Sequence, residues 1–339
     1  MSPTITSPRG SVPADPAGSG LRAGPAGPGA PAGTCPDDPG NRARTPWPRI
    51  GITATLLLLP LLITACGSCR ADRAPSGQAQ PAPSTATPLV VAVTVAPQRY
   101  FVERLARGRA AVQVLLPPGA NHESYEPTLS FLTALAGARL WFQVGPARFP
   151  FEQAWSDKVL AAAPGMKPVD TSIGVALLGA NPHIWLSPRR VVLQARTMAR
   201  VLAEEDPAGR THYQANLASF ERELADLDLA LDQQLAPVHG RTLVIFHPSW
   251  DYFAADYGFS FLAIEQEGHE PGAAGLEKLI VEARRRGARD VFVEPNIGSR
   301  LAGTIAGELG GSVVVIDPLP ADWPDGLRRA ARTIAGHAR

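Results

Sequence analysis

Between Arg210 and Leu235 the chain carries Tyr213, Leu217, Phe220, Leu224, Leu227, Leu231 and Leu235 at spacings of three or four residues, with no strand signal among them. That spacing lays one apolar stripe along a single helix of about 25 residues, which at 1.5 Å per residue spans roughly 37 Å. A rod of that length crosses a whole domain, so the rest of the chain must be organised around it. On either side, short β-branched or apolar runs alternate with helical periodicity. Strand candidates fall at 89–94, 112–116, 140–144, 242–246, 259–264, 291–293 and 313–316, and helical spacing at 128–135, 151–162, 188–205, 275–286 and 300–309. Most strand pairs are separated by a crossover helix, which predicts an α/β fold with mainly parallel sheets. Two α/β lobes are expected, 88–206 and 238–339, joined by one long connector helix at 207–237. The other arrangement that periodicity allows is an ordinary crossover helix inside a single sheet.

Upstream of this body the composition changes. The first 45 residues are almost wholly Pro, Gly, Ala, Ser and Thr with scattered charges, and cannot bury enough apolar surface to offset their ordering entropy. Residues 1–45 are read as a disordered extension, or as sequence upstream of the true start, because the secretion signal begins only around residue 42. Arg42, Arg44 and Arg49 lead into an apolar run that ends on Ile63-Thr64-Ala65-Cys66. A basic flank, about 15 apolar residues and a small-residue exit make a signal peptide over 46–66, too short and too broken by Pro60 for a comfortable membrane span. A short uncleaved anchor helix is the alternative, and both readings place the remainder outside the cytoplasm. The closing tetrapeptide resembles the bacterial lipobox, which implies that Cys66 is acylated and begins the mature protein. Cys35 precedes that cleavage, so Cys69 has no partner, and neither a disulfide framework nor a cysteine zinc site can form. Residues 67–87 read as a flexible stalk between lipid and domain.

Lysine plus arginine number 32 against 31 aspartate plus glutamate. A formal charge of +1 offers no broad basic face for nucleic-acid phosphates, which excludes nucleic acid as the expected partner.

Three of the seven histidines sit in unusual company. His122 and Glu123 lie in Pro117-Pro118-Gly119-Ala120-Asn121-His122-Glu123-Ser124-Tyr125-Glu126-Pro127, directly after a strand candidate. His183 lies in Asn181-Pro182-His183-Ile184-Trp185-Leu186-Ser187-Pro188, before a helix. His247 follows the 242–246 strand in Phe246-His247-Pro248-Ser249-Trp250, and Asp317 ends the 313–316 strand in Ile316-Asp317-Pro318-Leu319. Three of these four positions follow the carboxyl end of a strand, where parallel sheets place their ligands. Imidazole nitrogens with one or two carboxylate oxygens suit zinc, with manganese or iron less favoured as nitrogen content rises. Taken singly, each residue has a plainer reading as a loop histidine or a turn-capping aspartate.

Together, these loops resemble those of the solute-binding proteins of zinc and manganese ABC transporters, the cluster A-I family. The 117–127, 181–188, 247–258, 265–276 and 316–319 segments match in order, and the likeness covers about residues 88–325. The resemblance implies two α/β lobes joined by a long helix, with one metal held at the lobe interface by one ligand from each of four loops. It puts His183 and His247 on the second and third ligand positions and Asp317 on the fourth. Manganese-type relatives usually carry glutamate at the third position, so His247 points to Zn2+ before Mn2+. The partners implied are the divalent ion, an ABC permease with its ATPase, and the membrane through the lipid anchor.

At the first position the chain departs from the family pattern, which has histidine two residues before the tyrosine of Tyr-Glu-Pro. Glu123 stands there, with His122 one residue earlier as its competitor. The His- and acid-rich loop of many zinc-type members is missing, since only about ten residues separate Thr171 from Asn181. His269 competes weakly as a ligand, His212, His239 and His337 read as surface residues, and Arg284-Arg285-Arg286 reads as a solvated helix end. Trp141, Trp155, Trp185 and Trp250 read as packing groups. Two other functions compete. An extracytoplasmic zinc hydrolase also needs three protein ligands and an open position, but neither His-Glu-x-x-His nor Gly-x-Ser-x-Gly occurs. A carrier of a chelated metal would share the connector helix but generally lacks a His/His/Asp set.

Overall fold

The computed structural model describes residues 87–117, 119–121, 124–145, 148–265, 268–295 and 300–337. The readings made for 1–45, for the signal segment with Cys66 and for the stalk as far as residue 86 lie outside these residues, as do His122 and Glu123. No helix among the described residues is long and apolar enough to cross a membrane.

The chain begins with β1 (Leu89–Val93), α1 (Ala96–Ala106), β2 (Ala110–Val114), α2 (Leu129–Ala134), β3 (Leu140–Gln143), α3 (Pro150–Ala162) and β4 (Lys167–Asp170). Two long helices follow, α4 (Pro188–Glu205) and α5 (Arg210–Leu235). Then come β5 (Thr242–Ile245), α6 (Asp251–Asp256), β6 (Ser260–Ala263), α7 (Ala273–Arg285), β7 (Val291–Val293), α8 (Arg300–Leu309), β8 (Val313–Val315) and α9 (Trp323–His337). The strands form two four-stranded sheets, ordered β2-β1-β3-β4 and β6-β5-β7-β8. Every strand pair in them is parallel, with Val91 opposite Val112 on one side and Leu140 on the other. The expected α/β class with parallel sheets is what the structure has, with the long helix between the two sheets in sequence.

β4 carries no strand signal in the sequence. Lys167-Pro168-Val169-Asp170 has one β-branched residue, and Pro168 has no N–H to donate. It pairs because β4 is the edge of its sheet, where a proline can face away from the ladder.

The stripe on α5 is buried at Tyr213, Phe220, Leu224, Leu227, Leu231 and Leu235. Leu217 is only partly buried, and Asn216 is buried one position earlier, donating from Nδ2 to the Leu105 carbonyl at 2.8 Å. The stripe packs on α1, α4 and α9. Trp323, at the start of α9, stands edge-on to Phe101 of α1 with ring centroids 4.9 Å apart. The final helix thus packs on helices of the first half, and one apolar core joins α1, α4, α5 and α9 to part of the second sheet. A second core fills the space between the second sheet, α7 and α8.

The halves are also tied by polar groups. Asp256 of α6 accepts from Arg190 Nη1 of α4 at 2.7 Å and from Ser187 Oγ, which caps α4 by accepting from the Arg190 N–H. The Arg190 guanidinium lies 4.5 Å from the centre of the Tyr252 ring.

Leu227→Ala should lower unfolding free energy by about 2–5 kcal/mol in urea denaturation, whereas Leu229→Ala, at a side chain 59% exposed, should change it by less than about 0.5 kcal/mol. Asp256→Ala should cost about 3 kcal/mol, because it leaves the enclosed Arg190 guanidinium without its counter-charge.

Candidate metal centre

The loop from β4 to α4 turns at Asn181-Pro182 and delivers His183, 2% exposed, at the head of a short 3-10 turn. Asn181 decides how that imidazole is set. Its Oδ1 accepts from the His183 N–H at 3.0 Å and lies 2.7 Å from His183 Nδ1. Its Nδ2 donates to the Pro248 carbonyl at 2.7 Å and to Asp251 Oδ2 at 3.2 Å, which fixes which end of the amide is oxygen. An amide oxygen only accepts, so Nδ1 of His183 carries the proton and Nε2 is the ring nitrogen that bears the lone pair.

His247, 6% exposed, leaves the carboxyl end of β5. Its Nδ1 lies 3.2 Å from Glu265 Oε2, beyond the end of β6, and Glu265 is itself buried. A carboxylate behind a histidine fixes its tautomer and the orientation of its ring. The two imidazole rings stand with centroids 5.2 Å apart and planes at 70°. Two imidazoles on one tetrahedral zinc, at Zn–N distances of about 2.0–2.1 Å, have centroids about 5 Å apart, so the pair is spaced to share an ion.

His183 and His247 line a cavity of 430 Å³ with Asn181, Pro248, Asp251 and Arg148. Burial raises the Asp251 carboxyl above the ordinary aspartate range, against the opposing pulls of the Asn181 amide and His247. Asp317 lies elsewhere, in a cavity of 280 Å³ with Asn121 and Glu294. Its Oδ1 accepts from the Leu319 N–H at 2.8 Å. Part of the side chain remains exposed, yet loss of water raises its carboxyl, opposed by that N–H. The Asp317 loop is nonetheless held to the His183 loop, because Trp185 Nε1 donates to the Pro318 carbonyl at 2.7 Å while the Trp185 carbonyl accepts from Trp323 Nε1 at 2.8 Å.

Of the four expected positions, therefore, the described residues bring two together, place the third in an adjoining loop, and do not include Glu123 or its competitor His122. Among the described residues no group of three or more His, Cys, Asp or Glu side chains lies close enough to hold an ion. His269 lines a different cavity with Glu270 and Lys278, His212 Nε2 bonds the Ala106 carbonyl at 3.0 Å, and His337 pairs with Asp290. Trp141, Trp185 and Trp250 are fully buried. The orienting roles of Asn181 and Glu265 have no reading at sequence level. Asn-Pro-His carries a local signal for the first, whereas Glu265 stands 18 positions from His247 and only the β5–β6 pairing brings it close.

Comparison with known proteins identifies the family. The family model for zinc-uptake complex component A, periplasmic (ZnuA), matches residues 91–336. The high-affinity zinc uptake system protein ZnuA of Bacillus subtilis (strain 168) is 23% identical over 283 residues, which span 76% of this chain and 85% of that protein. The manganese-binding lipoprotein MntA of Halalkalibacterium halodurans is 26% identical over 219 residues, 62% of this chain and 72% of that one. Among solved structures, a ZnuA crystal structure superposes with TM-score 0.71 at 40% identity over 75% of this chain and 100% of its own. A zinc-bound ZnuA deletion mutant gives 0.70 at 39% identity over 74% and 98%. By the span of the model match and the agreement of fold, this chain belongs to the periplasmic zinc-uptake component A family.

Proposed function

We propose that the chain is the extracytoplasmic solute-binding component of an ABC importer, capturing a divalent transition metal and delivering it to a membrane permease driven by its ATPase. The observation that carries this reading is the buried His183–His247 pair, spaced for one shared ion and held at Nδ1 by Asn181 and Glu265. Zinc is favoured over manganese because both groups are nitrogen donors. Relatives named for zinc uptake, and one named for manganese binding, support the same pair of ions.

Glu123 and Asp317 complete the coordination in this proposal, with His122 the competitor for the first place. Two neutral imidazoles and two carboxylates carry a formal charge of −2, which matches a divalent ion. The Trp185–Pro318 bond supports the fourth assignment by holding the Asp317 loop to the loop of His183. A catalytic zinc would instead require a spare base and turnover, and tight stoichiometric binding without ester or peptide hydrolysis separates the carrier from the hydrolase. A carrier of a chelated metal would take the chelate in preference to the bare ion. Cys66 is proposed to be the acylated residue that anchors the chain at the outer face of the membrane, with 67–87 as its tether.

In a competition titration, His183→Ala and His247→Ala should each weaken zinc binding about 100-fold or more without unfolding the protein. Glu123→Gln should weaken it far more than His122→Ala, and the reverse order would move the first ligand to His122. Cys66→Ser should leave an unprocessed precursor without lipid. An intact mass showing an unmodified chain that still begins upstream of residue 42 would remove the anchor.

A further inference from the structure

Glu152 has no part in the site described so far, and it is 0% exposed. It sits in the first turn of α3 and reaches across the carboxyl end of the first sheet. There it accepts from the Val144 N–H at 2.7 Å, the Gly145 N–H at 2.9 Å and Thr94 Oγ. Thr94 Oγ in turn accepts from Trp141 Nε1 at 3.0 Å. In this sheet β1 lies between β2 and β3, so the chain leaves it in opposite directions and opens a crevice at the carboxyl ends of β1 and β3. Such crevices ordinarily receive a ligand. Here the chain's own carboxylate fills it.

Glu152 holds the start of the loop that leaves β3, at Val144 and Gly145, and Arg148 beyond it lines the metal cavity. A Cβ on Gly145 would stand 3.0 Å from Ser172 Oγ, so this loop lies tight against the one that leads from β4 toward His183. Arg148 Nη1 donates to the Gly179 carbonyl in that second loop. Phe149 stands edge-on to Trp185 at 5.8 Å, and Trp185 packs on the His183 ring at 5.1 Å.

We propose that Glu152 is a positioning residue for metal binding, which seats Val144 and Gly145, and with them Arg148 and Phe149, against the His183 loop and does so best as a carboxylate. This rests on the metal-capture reading above. As an anion the group meets three donors and needs no acceptor. Once protonated it must place an O–H, and Thr94 Oγ, already accepting from Trp141, has to reverse its own hydroxyl to receive it. Burial pushes the carboxyl up to about 7, against the lowering by Thr94, Gly145 and Val144, and Asp170 at the end of β4 adds a smaller upward push. Asp170 is the charged group acting on it from the packed elements among the described residues. Gln98, Gln143 and Thr171 are neutral, and α2 carries no charge. Because the folded-state value is raised, the protonated form favours folding, fully below the ordinary range near 4.5. That contribution fades as pH rises through about 7, while the seating of the loop improves over the same interval.

The test is zinc competition titration of the full chain and of Glu152→Gln between about pH 5.5 and pH 8.5. Glutamine stands in for the protonated acid, so the variant should bind zinc about tenfold more weakly at the alkaline end and converge on the parent at the acid end. A ratio that is constant across pH, or equal to one throughout, overturns the proposal, since a merely structural residue would give it. If the parent binds no zinc, the capture reading fails separately. Near-ultraviolet circular dichroism of the metal-free chain then decides, with a tryptophan signal that titrates near pH 7 in the parent and not in Glu152→Gln expected, and identical titrations overturning it. Should Glu152→Gln not fold, Thr94→Val removes one donor to the carboxylate and should move the midpoint upward in pH. An unmoved midpoint has the overturning force.

Discussion

Burial of the α5 stripe holds the rest of the molecule in place. Phe220, Leu224, Leu227 and Leu231 are covered by α1, α4 and α9, so the helix that links the two sheets in sequence is also the floor on which the first half and the last helix rest. Each of these side chains is worth about 1.5–3 kcal/mol in removal from water, and none of it is available to a connector left in solvent. Trp323 against Phe101 extends the same core across the chain ends, because it anchors the terminal helix to the first crossover helix.

With the connector packed on both sides, the loops at the carboxyl ends of the two sheets face a common region, and short polar ties finish the arrangement. Asn181 spends its whole amide on one task, accepting from His183 on one side and donating to Pro248 and Asp251 on the other. Tyr252 adds to it, donating to the Asn181 carbonyl at 2.7 Å while accepting from the Leu178 N–H at 3.0 Å. The His183 loop of the first half is therefore positioned largely by residues of the second half. Buried hydrogen bonds of this kind contribute little net stability each, but leaving one partner unmet costs about 1–3 kcal/mol, so the arrangement resists slipping.

The two proposed ligands are held by unlike partners. A neutral amide stands behind His183 and a carboxylate behind His247. Glu265 and Asp251 bring negative charge to the region, and Arg148 brings the positive charge on the cavity wall.

Periodicity and strand spacing alone determined the α/β class, the parallel sheets and the 26-residue helix at Arg210–Leu235, because a repeating apolar face records which side of an element is buried. The histidine loops were legible for the same local reason, since each follows a strand end or precedes a helix. Tertiary structure alone decided the edge strand at Lys167–Asp170, whose pairing depends on β3 beside it rather than on its own residues. It also decided that Asn181 and Glu265 stand behind the two histidines, that Asp317 lines a cavity apart from them, and that Glu152 closes the crevice of the first sheet. Asn181 and His183 are two positions apart, but His247–Glu265 and Thr94–Glu152 join positions 18 and 58 apart, set by which loops the packed core brings face to face, and no local pattern encodes those meetings.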